Sequence, residues 1–306
     1  MILLICGLYT SAEAGQFQLV ANDSVIGSVQ LIPARQNDTL IRIARQHGLG
    51  YQEMVQANSA TDRWLPTPGS PIVLPTRFVL PRGKRKGVVI NLAEMRLYYY
   101  PPQHPDQVWT YPIGIGRQGW QTPLASTTIK SRIKGPAWYP PTSILEEYAA
   151  KGIELPRKVP PGPDNPLGDF ALKLDLPGYL LHGTNRPSGV GMRVSHGCIR
   201  LYPEDIEQLF NGIATGTQVR IIDQPFKLGW QGDELYLEAH NPAYPGTIRE
   251  TTDRFSTPLI YRIQAIAEHN LVDWSAVVRA IQNANGVPTR IGSRHHQTAQ
   301  SRPIAE

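Results

Sequence analysis

Apolar and polar positions alternate from Gln16 to Ile32, first in Phe17-Gln18-Leu19-Val20 and again from Val25 to Leu31, which predicts an extended opening segment. The period then changes. In Asn37-Asp38-Thr39-Leu40-Ile41-Arg42-Ile43-Ala44-Arg45-Gln46-His47-Gly48, Leu40, Ile43 and Ala44 share a helical face. Asp38 or Thr39 can cap that helix, and Gly48 can stop it. A second helix is predicted from Tyr51 to Asn58 with Met54 and Val55 inward. The turn Pro68-Gly69-Ser70 leads into a strand, Pro71-Ile72-Val73-Leu74-Pro75.

Arg77 to Lys86 is rich in proline, glycine and basic residues and is expected to be a linker between domains. Strands follow at Gly87–Asn91, Met95–Tyr100, Val108–Ile115 and Ser126–Lys134. A short helix is expected at Thr142–Ala150, capped by Thr142 or Ser143, with Glu146 and Glu147 in its first turn. The stretch Pro156–Pro166 is long for an idle connection, and loops of that length in compact domains commonly bind or cover a ligand. Strands Phe170–Leu174 and Tyr179–His182 precede a helix at Pro203–Phe210, with proline in its first turn and Ile206, Leu209 and Phe210 inward. Val219–Ile222 is a closing strand.

Beyond Asp223 the character changes. Leu235–Ala239 reads as one more strand, and Leu259–Ala267 and Trp274–Ala284 as amphipathic helices, the second with Val277, Val278 and Ile281 on one face. From Gly292 the chain is polar, and disorder is expected. The pattern gives a mainly β fold with short helices. A small βααβ module lies at residues 34–76, a β-rich domain at 85–223, and an extension at 224–306, expected to pack against that domain.

The 28 prolines and 27 glycines in 306 residues fit this turn-rich reading. A net charge of +5 would suit an anionic partner. The basic residues are scattered, however, and their one run, Arg82-Gly83-Lys84-Arg85-Lys86, reads as a solvated linker, so no nucleic-acid site is expected. Met1–Tyr9 is apolar, too short to span a bilayer, and Ala12-Glu13-Ala14 has the small-x-small form of a signal-peptidase site. Residues 1–14 are therefore expected to be a cleaved leader, with a retained buried segment as the alternative. The glycines of Gly114-x-Gly116-x-x-Gly119 match a dinucleotide fingerprint in form only, because no periodic helix follows them.

If the leader is lost, Cys6 goes with it and Cys198 has no disulfide partner. Cys198 stands in Ser195-His196-Gly197-Cys198-Ile199-Arg200, downstream of Leu181-His182-Gly183-Thr184. A thiol nucleophile needs a base and donors for the oxyanion it creates. His182, at a strand end, is the candidate base, and the Gly183 carbonyl its orienting acceptor. The amides of Gly197 and Cys198 are the candidate oxyanion donors. His196 would project to the opposite side of an extended segment. Two alternatives stand beside this. One is a zinc site of His182, His196 and Cys198, lacking an evident fourth ligand. The other is a buried structural cysteine.

Two resemblances sharpen these readings. Asn37-Asp38-Thr39-Leu40, Ile43-Ala44, Ala57-Asn58 and Ile72-Val73-Leu74-Pro75 resemble the LysM module, which implies binding to N-acetylglucosamine-containing glycan. His182 followed by Ser195-His196-Gly197-Cys198-Ile199-Arg200 resembles the motif of the YkuD-like L,D-transpeptidases, and the combination with LysM resembles the ErfK/YbiS-type branch. That implies a sandwich-like β fold, Cys198 as nucleophile and His182 as base, with Ser195, His196 and Arg200 as supporting or substrate-binding positions. It also implies a periplasmic enzyme with no cofactor or metal. The donor would be a peptidoglycan tetrapeptide stem, and the acceptor a lipoprotein lysine or another diaminopimelate. A non-catalytic peptidoglycan-binding protein and an L,D-carboxypeptidase using water are the competing functions.

Overall fold

The computed structural model describes residues 15–244 and 257–295; the expected leader lies outside them. The first strands are β1 (Gln16–Gln18), β2 (Val25–Gly27) and β3 (Gln30–Pro33), followed by α1 (Leu40–Gln46), α2 (Tyr51–Ala57), β4 (Pro71–Leu74) and β5 (Arg77–Val79). Thr39 is the residue that caps α1, its hydroxyl accepting the Arg42 N–H at 3.2 Å. Leu40, Ile43 and Ala44 are buried, and Gly48 reverses the chain at φ +62°. In α2, Met54 is fully buried and Val55 partly so. Asn58 ties the helix end to the module's strand: its amide donates to the Met54 and Val73 carbonyls, and its oxygen accepts from Val73 N–H. Antiparallel β3 and β4 close the module.

Next come β6 (Gly87–Asn91), β7 (Arg96–Tyr100), β8 (Gln107–Pro112), β9 (Ile115–Gly116), β10 (Ala125–Lys134), α3 (Thr142–Ala149), β11 (Phe170–Leu174), β12 (Leu180–His182), β13 (Arg193–Ser195), β14 (Ile199–Arg200), α4 (Pro203–Gly212) and β15 (Gln218–Ile222). A nine-stranded sheet runs β1-β8-β7-β6-β15-β10-β11-β12-β14, antiparallel except at β6/β15 and β12/β14. Its middle strands are buried on both faces. Val88, Ile90, Leu97 and Tyr99 face a core closed by Ile206, Leu209 and Phe210 of α4. Val89, Tyr98 and Tyr100 face a second core shared with Leu40, Ile43 and Met54 of the small module. Burial on both sides is why β6 and β7 read as unbroken apolar runs instead of alternating ones.

The segment expected to be a linker is therefore only partly one. Arg77–Val79 forms β5, paired with β2, and Val79 and Leu80 are buried; only residues 82–86 are exposed. The module is also held by ion pairs. Arg96, fully buried on β7, donates to Glu53 of α2 at 2.7 Å and lies 4.1 Å from the Phe78 ring centre. Losing one partner of such a pair strands a buried charge and costs about 3–5 kcal/mol. In α3 the cap is Pro141, with no side-chain hydrogen bond, and no acid lies in the first turn. Glu146 and Glu147 stand one turn later than expected.

The extension holds β16 (Phe226–Gln231), β17 (Glu234–Ala239), α5 (Thr257–Ala267), β18 (Asn270–Val272), α6 (Trp274–Asn283) and β19 (Thr289–Arg294). A four-stranded sheet, β16-β17-β19-β18, packs on both helices. Val277 and Ile281 of α6 are buried, whereas Val278 is exposed, so the inward face is narrower than expected. Gly292 lies inside β19, correcting the expected disorder there; residues 296–306 lie outside the described residues. The extension docks through a buried cluster: Lys227 Nζ sits 2.6 Å from Glu94 and 2.9 Å from Glu238, and His240 is 2.6 Å from Glu238. The two carboxylates and His240 are close enough to hold a cation, and the ammonium of Lys227 supplies one.

Asp205, in the first turn of α4, is buried with an unpartnered Oδ2. Burial, with Glu204 beside it, pushes its carboxyl from 3.8 up to about 8. Folding therefore takes up a proton between those two pH values, and stability falls as pH rises through that window. Asp205→Asn is expected to melt on the order of 10 °C above wild type at pH 9 and within a degree or so of it at pH 4, measured by thermal denaturation.

Candidate active site

The parallel pairing of β12 with β14 sets Leu181 beside Ile199 and His182 beside Arg200, which brings the two halves of the sequence motif together. His182, Ser195, His196, Cys198 and Arg200 all line one cavity of about 340 Å³. Its cover comes from residues 137–167: Trp138, Tyr139, Pro141 and Ile144 on one side, Pro166 and Leu167 on the other. Trp138 pairs with Val159 as an isolated bridge, so the proline-rich loop is part of this cover, as its length suggested.

His182 is buried, and its Nδ1 lies 2.6 Å from the Gly183 carbonyl oxygen. A carbonyl only accepts, so Nδ1 carries the proton and Nε2 is left with its lone pair. Burial first, then the positive charge of Arg200, pulls the imidazole down to about 4, so the ring is neutral at neutral pH. Gly183 thus supplies through its backbone the acceptor expected of it. A Cβ there would meet Ile206 Cγ2 at 3.1 Å, so little room exists for a side chain to take over the task.

Cys198 is half-buried and free. Burial raises its thiol above the ordinary value, and the neighbouring Arg200 opposes that. The resting pair is therefore a neutral imidazole and a neutral thiol. Ser195 shapes the turn: its hydroxyl donates to the Cys198 carbonyl at 2.5 Å and accepts from Gly197 N–H at 3.2 Å. Two expectations change here. The Gly197 amide is engaged by Ser195, so it does not stand beside the Cys198 amide as a second free oxyanion donor. Gly197 also has φ +103°, so the segment is not extended, and His196 lines the same cavity as Cys198 instead of facing away.

His196 is nevertheless held elsewhere. Its Nε2 is 3.2 Å from Arg117 Nη2 and 3.2 Å from Glu147 Oε2, and its ring packs edge-on to Trp120. Glu147 also pairs with Lys151 and Arg117, which holds its carboxyl down at about 2. This network ties α3 to the Ser195–Cys198 turn, and the sequence reading missed Arg117, Glu147 and Trp120 because they lie far from the motif in the chain. Zinc ligation by His182, His196 and Cys198 finds no support, since those three are absent from the groups of described residues close enough to hold a metal.

The extension reaches the same turn. Tyr244 accepts Thr122 N–H at 3.0 Å and donates to the Gly116 carbonyl at 2.8 Å, while Thr122 Oγ1 donates to the Gly197 carbonyl at 2.8 Å. The glycines that mimic a nucleotide fingerprint belong here too. Gly114 exchanges backbone hydrogen bonds with Arg200, and a Cβ on Gly116 would lie 1.9 Å from the Trp120 carbonyl oxygen. Gly114 and Gly116 permit close approach of backbones, not phosphate binding, while Gly119 serves a turn at φ +84°.

Residues 85–221 match the L,D-transpeptidase catalytic domain, and residues 34–75 the LysM domain. The chain is 40% identical over 269 residues to Escherichia coli "Probable L,D-transpeptidase ErfK/SrfK", covering 87% of this chain and 86% of that protein. It is 38% identical over 293 residues to Escherichia coli "Probable L,D-transpeptidase YbiS", covering 94% and 95%. Among solved structures, the catalytic domain of the Enterococcus faecium L,D-transpeptidase shows 18% identity and a TM-score of 0.36 over 46% of this chain and all of that one. The chain belongs to the L,D-transpeptidase family, whose members are cysteine-dependent acyltransferases.

The Tyr244 hydroxyl is placed to brace the Ser195–Cys198 turn through Thr122. Tyr244→Phe removes both of its hydrogen bonds and is expected to lower kcat by about 5–30-fold, with KM little changed. A fall in Tm with kcat preserved would show a packing role instead.

Proposed function

We propose that this chain is a periplasmic L,D-transpeptidase that cuts the terminal D-alanine from a peptidoglycan tetrapeptide and transfers the diaminopimelate acyl group to a primary amine through a thioester on Cys198. One observation carries the reading: neutral His182, its Nδ1 fixed by Gly183, and the Cys198 thiol open onto the same covered cavity. His182 Nε2 takes the thiol proton as Cys198 Sγ bonds to the diaminopimelate carbonyl carbon. The C–N bond to D-alanine then breaks, and the departing nitrogen takes the proton from His182. In the second half an amine gives its proton to His182 and attacks the thioester, the C–S bond breaks, and the sulfur is reprotonated. The Cys198 amide is the remaining motif donor for the oxyanion, a contribution of about 10²–10³ in rate.

The LysM module supports a peptidoglycan substrate, since it would hold glycan while the cavity takes the stem peptide. Its contacts reach the catalytic loop directly: Tyr51 and Gln52 N–H donate to the Val190 and Gly191 carbonyls. The acceptor amine is the lysine side chain of an outer-membrane lipoprotein or the free amine of a second diaminopimelate. Incubation of the protein with tetrapeptide stem and a primary amine, followed by mass analysis, tests the reaction. Amide product with loss of D-alanine is expected. Tripeptide alone would make the chain an L,D-carboxypeptidase, and unchanged tetrapeptide a binding protein. Mass analysis of sacculi from cells with and without the protein distinguishes lipoprotein-bearing stems from cross-linked ones.

A further inference from the structure

A second cavity of about 270 Å³ adjoins the first; both are lined by Trp138, Ile144, Pro166, His196 and Arg200. The second contains neither Cys198 nor His182. It is lined instead by Arg186, Asn185, Thr184, Tyr148 and Asp164. Arg200 thus stands at the boundary, on the strand that follows the nucleophile, and reaches both spaces.

Arg96 is paired with Glu53, and Arg117 with Glu147. Arg200 has no such acid, a lack it shares with Arg77, but it alone of those two lines the cavity that holds Cys198. Its Nε is buried without a hydrogen-bond partner, and among the described residues no carboxylate lies within ion-pair distance of Arg200 or Arg186. Asp164 lines the same cavity but pairs with neither. Two guanidiniums close enough to repel each other, one with an orphaned donor, make a site short of one anion.

The chemistry of the proposed reaction identifies that anion. D-alanine leaves as an amine whose own carbon carries a carboxylate. A guanidinium next to the nucleophile is placed to grip that carboxylate while the nitrogen stays at the thioester. We infer that Arg200, assisted by Arg186 at the exposed side of the second cavity, is a carboxylate-binding pair that holds the carboxylate of the departing residue and so selects donor peptides that end in a free α-amino acid. This rests on the transpeptidase reading above.

The test compares release of the terminal residue from a tetrapeptide ending in D-alanine and from the same peptide ending in D-alaninamide, which lacks the carboxylate. Wild type is expected to favour the acid by about 10–100-fold in kcat/KM, the range for a charge-assisted hydrogen-bonded pair. Arg200→Gln should bring that ratio close to one, and Arg200→Lys should keep part of it. Arg186→Gln, on an exposed side chain that folding does not need, should lower the ratio about threefold. Equal use of both peptides by wild type, or a lower rate for Arg200→Gln with the ratio intact, overturns this inference alone and leaves Arg200 as a brace. Release from neither peptide, while intact mass shows Cys198 still alkylated by iodoacetamide, overturns the transpeptidase reading and this inference with it.

Discussion

Cys198→Ala is expected to lower D-alanine release from a tetrapeptide stem by at least about 10⁴-fold, because the proposed mechanism forms its acyl-enzyme on this thiol. The described part of the chain holds no second cysteine. Ser195 is the nearest hydroxyl, yet it is buried and its oxygen both donates to Cys198 and accepts from Gly197. Cys198→Ser should be almost as inactive. A neutral imidazole whose conjugate acid lies near 4 is too weak a base to activate an alcohol at neutral pH. Both variants should fold normally, since the side chain is small and only half-buried. D-alanine release assayed by chromatography, beside thermal melts, separates lost chemistry from lost structure.

His182→Ala is expected to cost about 10²–10⁴-fold in kcat/KM, the usual span for a general base. The pH profile gives a sharper signature. His182 must be neutral to accept the thiol proton, and burial holds its pKa at about 4. Wild-type kcat/KM should therefore remain insensitive to His182 protonation down to about pH 5 and fall below pH 4. The same depression has a consequence for stability. The unfolded histidine takes up a proton near 6.5 and the folded one near 4, so wild type loses stability as pH falls through that interval. His182→Ala removes that dependence along with the acid limb of the activity profile. An activity profile falling near pH 6.5 would mean that His182 is solvated or that another group is the base.

Much of this site was legible from residue types alone. The thiol, the histidine, the serine and the sharp glycine are contiguous or nearly so, and the parallel pairing of β12 and β14 only folds the motif onto itself. What the sequence hid was carried by distant partners. Arg117, Glu147 and Trp120 meet at His196 from three separate segments, and Tyr244 reaches Gly197 through Thr122 from beyond the catalytic sheet. The missed strands have a similar cause. In β16 the buried positions are Lys227 and Gly229, which look unlike a core. Lys227 belongs to an internal ionic cluster, and a Cβ on Gly229 would meet Val79 at 2.8 Å. In β19 the polar residues Arg290 and Arg294 pair with Glu234 and Asp233, while Ile291 alone enters the core. The Arg77–Lys86 stretch misled for the opposite reason, because its composition is that of a linker although Val79 and Leu80 are buried.

The most direct test of the account is intact-mass analysis of the protein incubated briefly with tetrapeptide stem and no amine acceptor, followed by peptide mapping. The account predicts an adduct of tripeptide mass on Cys198, formed with one equivalent of free D-alanine, and none on the Cys198→Ala protein. Release of D-alanine by Cys198→Ala, or an adduct on any other residue, would contradict it.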